Sequence, residues 1–109
     1  MIYQIKISNQ AKSDLRDIYE YIAFTLLSSE NAKNQLKRLE KGILSLDHFP
    51  KRFKLYQDAL WHNQELRVMP VDKFLVFYIS DNHKQIVTIL RIMYHGRNIP
   101  KEFHNSQID

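Results

Sequence analysis

The sequence predicts a two-layer α+β domain: an N-terminal strand, an antiparallel helical hairpin, then a three-stranded antiparallel meander. Three observations carry this prediction. The chain opens on a short apolar–polar alternation, continues through two stretches with apolar residues at steps of three and four, and finishes in β-rich segments divided by turn residues. Its 109 residues, 44% of them hydrophobic and 26% charged, have the composition of one globular domain. A chain of this size removes about 60 to 70% of its unfolded surface from water, enough for a single core. The domain is expected to span residues 1–103, with the polar stretch 104–109 as a frayed tail.

Tyr3, Ile5 and Ile7 alternate with Gln4, Lys6 and Ser8, the period of a strand with one apolar face. From Ala11 the spacing changes. Ala11, Leu15, Ile18, Ile22 and Leu26 form one stripe of a helix ending near Leu27, with Lys12, Asp14, Arg16, Asp17 and Glu20 on its other side. Ser28 and Ser29 offer hydroxyls to cap a second helix, whose stripe is Ala32, Leu36, Leu39, Ile43 and Leu46. The short break folds the two helices back on each other. Gly42, inside the second helix at a cost near 1 kcal/mol relative to Ala, suggests a close crossing or a tolerated defect. Pro50 ends the helical pattern, and residues 48–60 read as an irregular basic loop. Residues 65–69 then read as a strand, 70–73 as a turn, and the apolar run 74–79 as a central strand buried on both faces. A turn at 80–84 precedes the last strand, 85–94, which Gly96 and Pro100 terminate. The hairpin covers one sheet face; nothing further along the chain is available for the other, which is expected to stay open and to carry function.

Composition narrows the function classes. The absence of cysteine excludes disulfides, thiolate metal sites, thiol catalysis and iron–sulfur clusters. No apolar run approaches the roughly 18 residues of a membrane span, and residues 1–12 lack a signal-peptide layout, so a cytoplasmic protein without membrane attachment is expected. Sixteen Lys and Arg against twelve Asp and Glu leave +4, which favours polyanions or an acidic protein partner. His48, His62, His83 and His104 are scattered without metal-ligand spacing, and neither a glycine-rich phosphate loop nor a GxSxG elbow is present; no metal or cofactor is expected. Asp14 with Asp17 reads as a solvated helix face.

Strand alternation places Arg91, Met93 and His95 on one side of the last strand, followed by Arg97. Arg67 on the preceding meander strand and the basic loop residues Lys51, Arg52 and Lys54, interleaved with Phe49, Phe53 and Tyr56, are expected near that side. Guanidinium groups beside an imidazole suit a phosphodiester backbone. They also suit its cleavage by an adjacent 2'-hydroxyl, with His95 as acid or base and Arg67, Arg91 and Arg97 stabilising the charge that builds on the phosphoryl oxygens. On this reading, replacing Arg91 or Arg97 by Ala removes activity and changes stability little. Structural pairing of each Arg with a carboxylate is the competing reading.

Three stretches, taken in order, carry a family resemblance. They are Ala11-x-x-Asp14-Leu15-x-x-Ile18-x-x-Tyr21-Ile22, Arg67-x-x-Pro70-Val71-x-x-Phe74-Leu75-Val76-Phe77-Tyr78, and Arg91-x-x-x-His95-Gly96-Arg97-x-Ile99. Up to about Ile99 the chain resembles the RelE/ParE superfamily of toxins from type II toxin–antitoxin modules. The resemblance implies a growth-arresting toxin, a cognate antitoxin that wraps it in a hetero-oligomeric complex, and one of two targets. ParE-like members poison DNA gyrase; RelE-like members are metal-independent endoribonucleases that cut messenger RNA on the translating ribosome. The first-helix pattern and His95-Gly96-Arg97 look closer to the ParE branch. His95, Arg67, Arg91 and Arg97 with the late aromatic Phe103 furnish the RelE-like alternative, although a phenyl ring stacks on a base and cannot donate a proton. A non-toxic nucleic-acid-binding module is the remote alternative.

Overall fold

The computed structural model describes residues 2–56 and 64–96. The expected order of elements is present: β1 (Gln4–Ile7), α1 (Asn9–Glu20), α2 (Ser29–Leu44), β2 (Arg67–Val71), β3 (Phe74–Asp81) and β4 (Ile86–Tyr94). The sheet order is β1-β4-β3-β2. The last three strands form the antiparallel meander, and β1 joins its far edge parallel to β4.

Ser8 explains the turn from β1 into α1. Its hydroxyl oxygen accepts the Ala11 N–H at 3.0 Å, satisfying one unpaired helix donor, while its O–H donates to the Leu90 carbonyl at 3.0 Å and ties the helix start to β4. The first helix ends earlier than its stripe predicts. After Glu20 the backbone widens into a π-helical turn, Tyr21–Thr25, and Leu27 adopts φ 54°, which stops it. A turn holding one more residue rotates the stripe, so Ala23 is buried and Leu26 is exposed, contrary to expectation. Ser28 occupies the N-cap of α2 but makes no side-chain capping bond; its carbonyl accepts the Ala32 N–H instead, at 3.0 Å. Gln35 is buried on α2 rather than Leu36.

Strand β2 lies two residues later than expected, while β3 begins at Phe74 as expected. Pro70, expected in a turn, sits in β2 opposite Leu75, which an edge strand tolerates because no ladder donor is needed on its outer side. The turn is Asp72-Lys73, with Asp72 at φ 55° and its carboxylate held by Arg38 Nε at 2.7 Å and Gln35 Nε2 at 2.9 Å. Those hydrogen bonds, Arg38 first, hold the Asp72 carboxyl below its usual range. Gly42 crosses β2 closely. A Cβ there would lie 3.0 Å from Val71 Cγ2 and 3.4 Å from Met69 Cε, so the glycine marks where α2 packs onto the sheet rather than a defect.

Both sheet faces carry apolar clusters. On the helical side Leu39, Ile43 and Leu46 meet Val76, Tyr78, Val87, Ile89 and Ile92. The second face was expected to be bare and cationic, and this is corrected: Leu66, Val68, Phe77, Leu90 and Met93 are buried there, with Tyr56 packed edge-on to Phe77 at 5.2 Å. The alternation of β4 is also interrupted. Phe77 pairs with Arg91 and Tyr78 with Ile89, so Leu90 is an extra residue in a β-bulge, and strict two-residue counting along the strand fails from that point.

Candidate functional site

Arg91 was expected to share an open face with His95, and Asp14 to be solvated. Both expectations are corrected. The Arg91 side chain is committed to α1, with Nε donating to Asp14 Oδ2 at 2.8 Å and Nη2 to Asp14 Oδ1 at 3.1 Å. Asp14 Oδ2 also accepts the Ile92 N–H at 2.9 Å. Arg91 is 4% exposed and Asp14 7%. A carboxylate that receives a bidentate guanidinium and a backbone donor is chemically satisfied, and such a pair holds α1 against β4 in fixed register. The bulge at Leu90 lies beside this contact, while Arg91 to Tyr94 keep unbroken register with Phe77 to Phe74.

His95 stands apart from that pair. Its side chain is exposed, and its backbone N–H donates to the Lys73 carbonyl at 2.9 Å, beside the β2–β3 turn. Arg67 reaches the basic loop as expected, but as a clasp: its Nη1 donates to the carbonyls of Phe53 at 2.7 Å and Lys51 at 3.2 Å. Arg52 also bonds backbone, at the surface, with Nη1 donating to the His48 carbonyl at 2.6 Å and its guanidinium 4.8 Å from the Phe53 ring centroid. Lys51 and Lys54 are exposed. Arg97 and Phe103, with the expected tail at 104–109, lie outside the described residues. The described candidates therefore divide into arginines bonded to protein acceptors, buried Arg91, half-buried Arg67 and exposed Arg52, and the exposed His95, Lys51 and Lys54. Among the described residues no His, Cys, Asp or Glu cluster is grouped to hold a metal ion, and no helix is long and apolar enough to cross a membrane.

A family model described as the ParE toxin of the type II toxin–antitoxin system, parDE, matches residues 5–99. The chain belongs to the ParE toxin family. Its fold is similar to that of a chain from the chromosomal ParDE toxin–antitoxin system of P. aeruginosa, with TM-score 0.70 at 17% identity, covering 85% of this chain and 96% of that one. A chain of a RelBE toxin–antitoxin complex from Mycobacterium tuberculosis gives 0.67 at 16% identity, over 89% and 95% of the two chains. The archaeal RelE–RelB complex from Pyrococcus horikoshii OT3 gives 0.62 at 18% identity, over 89% and 99%. At these identities the likeness is one of fold. No curated protein sequence matches. The superfamily resemblance in the three ordered stretches is thus supported across nearly their whole extent.

In this ParE-family chain, two internal polar groups escape a sequence reading. Asp14 sits three residues after buried Ala11 and four before Ile18, a helical spacing that places it beside the core stripe; that signal was present but outweighed by the neighbouring charges. Tyr78 sits in an apolar strand run, and only the fold reveals its hydroxyl donating to the Pro50 carbonyl at 2.5 Å. Burial pushes its phenol up to about 12 from an ordinary 10, with Arg67 and Arg52 pulling the other way. A raised folded value means the neutral phenol is favoured in the fold. That stability is fully present below pH 10 and is lost as pH rises toward 12. Thermal unfolding followed between those two values should show a falling midpoint in the wild type and a shallower fall in Tyr78→Phe.

Proposed function

We propose that this chain is the growth-arresting toxin of a type II toxin–antitoxin pair, acting by binding DNA gyrase, and that residues 1–103 form the toxin domain. One observation carries the choice of target. Arg91 and Arg67, which an RNA-cleaving mechanism would aim at a phosphate, are spent on Asp14 and on the carbonyls of Phe53 and Lys51. Charge stabilisation in phosphoryl chemistry needs guanidinium groups aimed at the reacting oxygens. A binding inhibitor needs no such set, only a surface complementary to its target. The match to the ParE family points the same way.

A cognate antitoxin is the second partner, in a hetero-oligomeric complex. The net charge of +4 suits an antitoxin whose toxin-binding half is acidic. His95, Lys51 and Lys54, exposed in the fold, together with Arg97 and Phe103, are the residues we assign to target contact. Inducing the chain alone in bacterial cells and mapping the damage tests the target. Double-strand DNA breaks with a DNA-damage response are expected. Intact chromosomes with messages cut at codons under translation would overturn the gyrase reading in favour of the ribosome-dependent nuclease.

A further inference from the structure

The loop after α2 is braced from three directions around a residue that contributes little to the fold. Phe49 is 81% exposed and sits at φ 48°, ψ 55°, the left-handed region that bulky side chains avoid. Its backbone is nevertheless fixed. Arg52 Nη1 donates to the carbonyls of His48 at 2.6 Å, Phe49 at 3.2 Å and Ser45 at 3.3 Å. Tyr78 holds Pro50 from the sheet, and Arg67 holds Lys51 and Phe53 from β2. A chain that accepts strain and commits two arginines and a buried tyrosine hydroxyl to a loop that projects an aromatic ring into water resembles a preorganised binding anchor.

The surroundings indicate what the anchor meets. Leu44, 61% exposed, lies on the last turn of α2, and Ile2, 66% exposed, precedes Tyr3, whose N–H donates to the Asp47 carbonyl at 2.8 Å. The gyrase reading makes the target a protein, and an exposed phenyl ring on a fixed backbone fits an apolar socket on such a surface. Exposed Lys51 and Lys54 add positive charge at its edge. We propose that Phe49 is the central anchor by which the toxin engages its target, inserting into an apolar socket rimmed by carboxylates on a protein surface. This inference rests on the gyrase reading for the identity of that protein. An aromatic anchor with a charged rim is the usual anatomy of a strong contact, and the rim matches an acidic partner in sign.

The test is supercoiling by purified DNA gyrase, titrated with the full chain as wild type, Phe49→Gly and Phe49→Tyr. Glycine adopts φ 48° without steric penalty, so Phe49→Gly is expected to unfold at a temperature no lower than the wild type, yet to need at least tenfold more protein for half-inhibition. Phe49→Tyr, which keeps the ring, is expected to inhibit within about threefold of wild type. If glycine loosens the loop, Phe49→Asn, also tolerant of left-handed backbone, is expected to show the same tenfold loss. Equal inhibition by wild type and a folded Phe49→Gly would overturn the anchor and leave the gyrase reading standing. A wild type that does not inhibit gyrase would overturn both. A labelled single-stranded RNA that binds wild type but not Phe49→Gly, with supercoiling inhibition unchanged, would assign the ring to base stacking and overturn the protein socket.

Discussion

Asp14→Ala is expected to cost about 3 to 5 kcal/mol of folding stability, because it leaves the Arg91 guanidinium buried without its carboxylate. The Ile92 N–H loses its acceptor in the same step. A domain of this kind is stabilised by about 5 to 15 kcal/mol in total, so the variant should be largely unfolded or only marginally folded. Urea unfolding of purified protein measures the loss, with soluble yield as the coarse readout. Arg91→Ala is expected to behave similarly, since it strands the Asp14 charge instead. Toxicity lost in either single variant would therefore report the fold, in contrast to the expectation from sequence that Arg91→Ala leaves stability alone. The double variant Asp14→Asn/Arg91→Met removes both charges and keeps an amide oxygen to accept the Ile92 N–H. It should recover to within about 2 kcal/mol of wild type, the residue of one imperfectly satisfied amide and altered packing.

Arg67→Ala ranks second in expected effect. Its guanidinium donates two hydrogen bonds to carbonyls of the loop, and hydrogen bonds from charged donors contribute about 1.5 to 3 kcal/mol. The variant is expected to lose about 2 kcal/mol, and amide exchange at residues 51–54 should quicken more than exchange in β3 or β4. Arg67→Lys should recover only part of this, because both bonds come from Nη1 at the far end of the guanidinium and the shorter lysine side chain places its nitrogen differently. Uniform exchange throughout the molecule would place the role of Arg67 elsewhere than in the loop.

Much of the architecture was legible in the sequence because period and breaks are local signals. The alternation at Tyr3, Ile5 and Ile7, the helical stripes, Pro50, and the apolar run from Phe74 each announce an element without help from distant residues. The errors fall where tertiary contacts decide. The π-helical turn at Tyr21–Thr25 adds one residue to a turn and rotates the stripe, so Leu26 faces out. Counting by twos along β4 proposes a face for Arg91 but not the Asp14 carboxylate that takes up its guanidinium. The burial of Asp14 depends on a partner 77 residues away. Charge alone did not separate a solvated carboxylate from one that receives a guanidinium.

The candidate site was less legible than the fold for the same reason. Arg52, Arg67 and Arg91 have the residue type expected of a phosphate grip, and only the fold shows each directed at a protein acceptor. Phe49 carried no sequence signal beyond its place in a basic loop; its left-handed backbone and its exposure emerge from the bracing around it. The consequence is a division of labour in which arginines bonded to protein acceptors hold the scaffold and other exposed side chains meet partners.

That division is tested most directly by assaying gyrase supercoiling with the folded Asp14→Asn/Arg91→Met variant. Inhibition within a few-fold of wild type is the result expected if Arg91 serves the scaffold alone. A variant with wild-type secondary structure and cooperative unfolding that no longer inhibits the enzyme would contradict the account and return Arg91 to the functional surface.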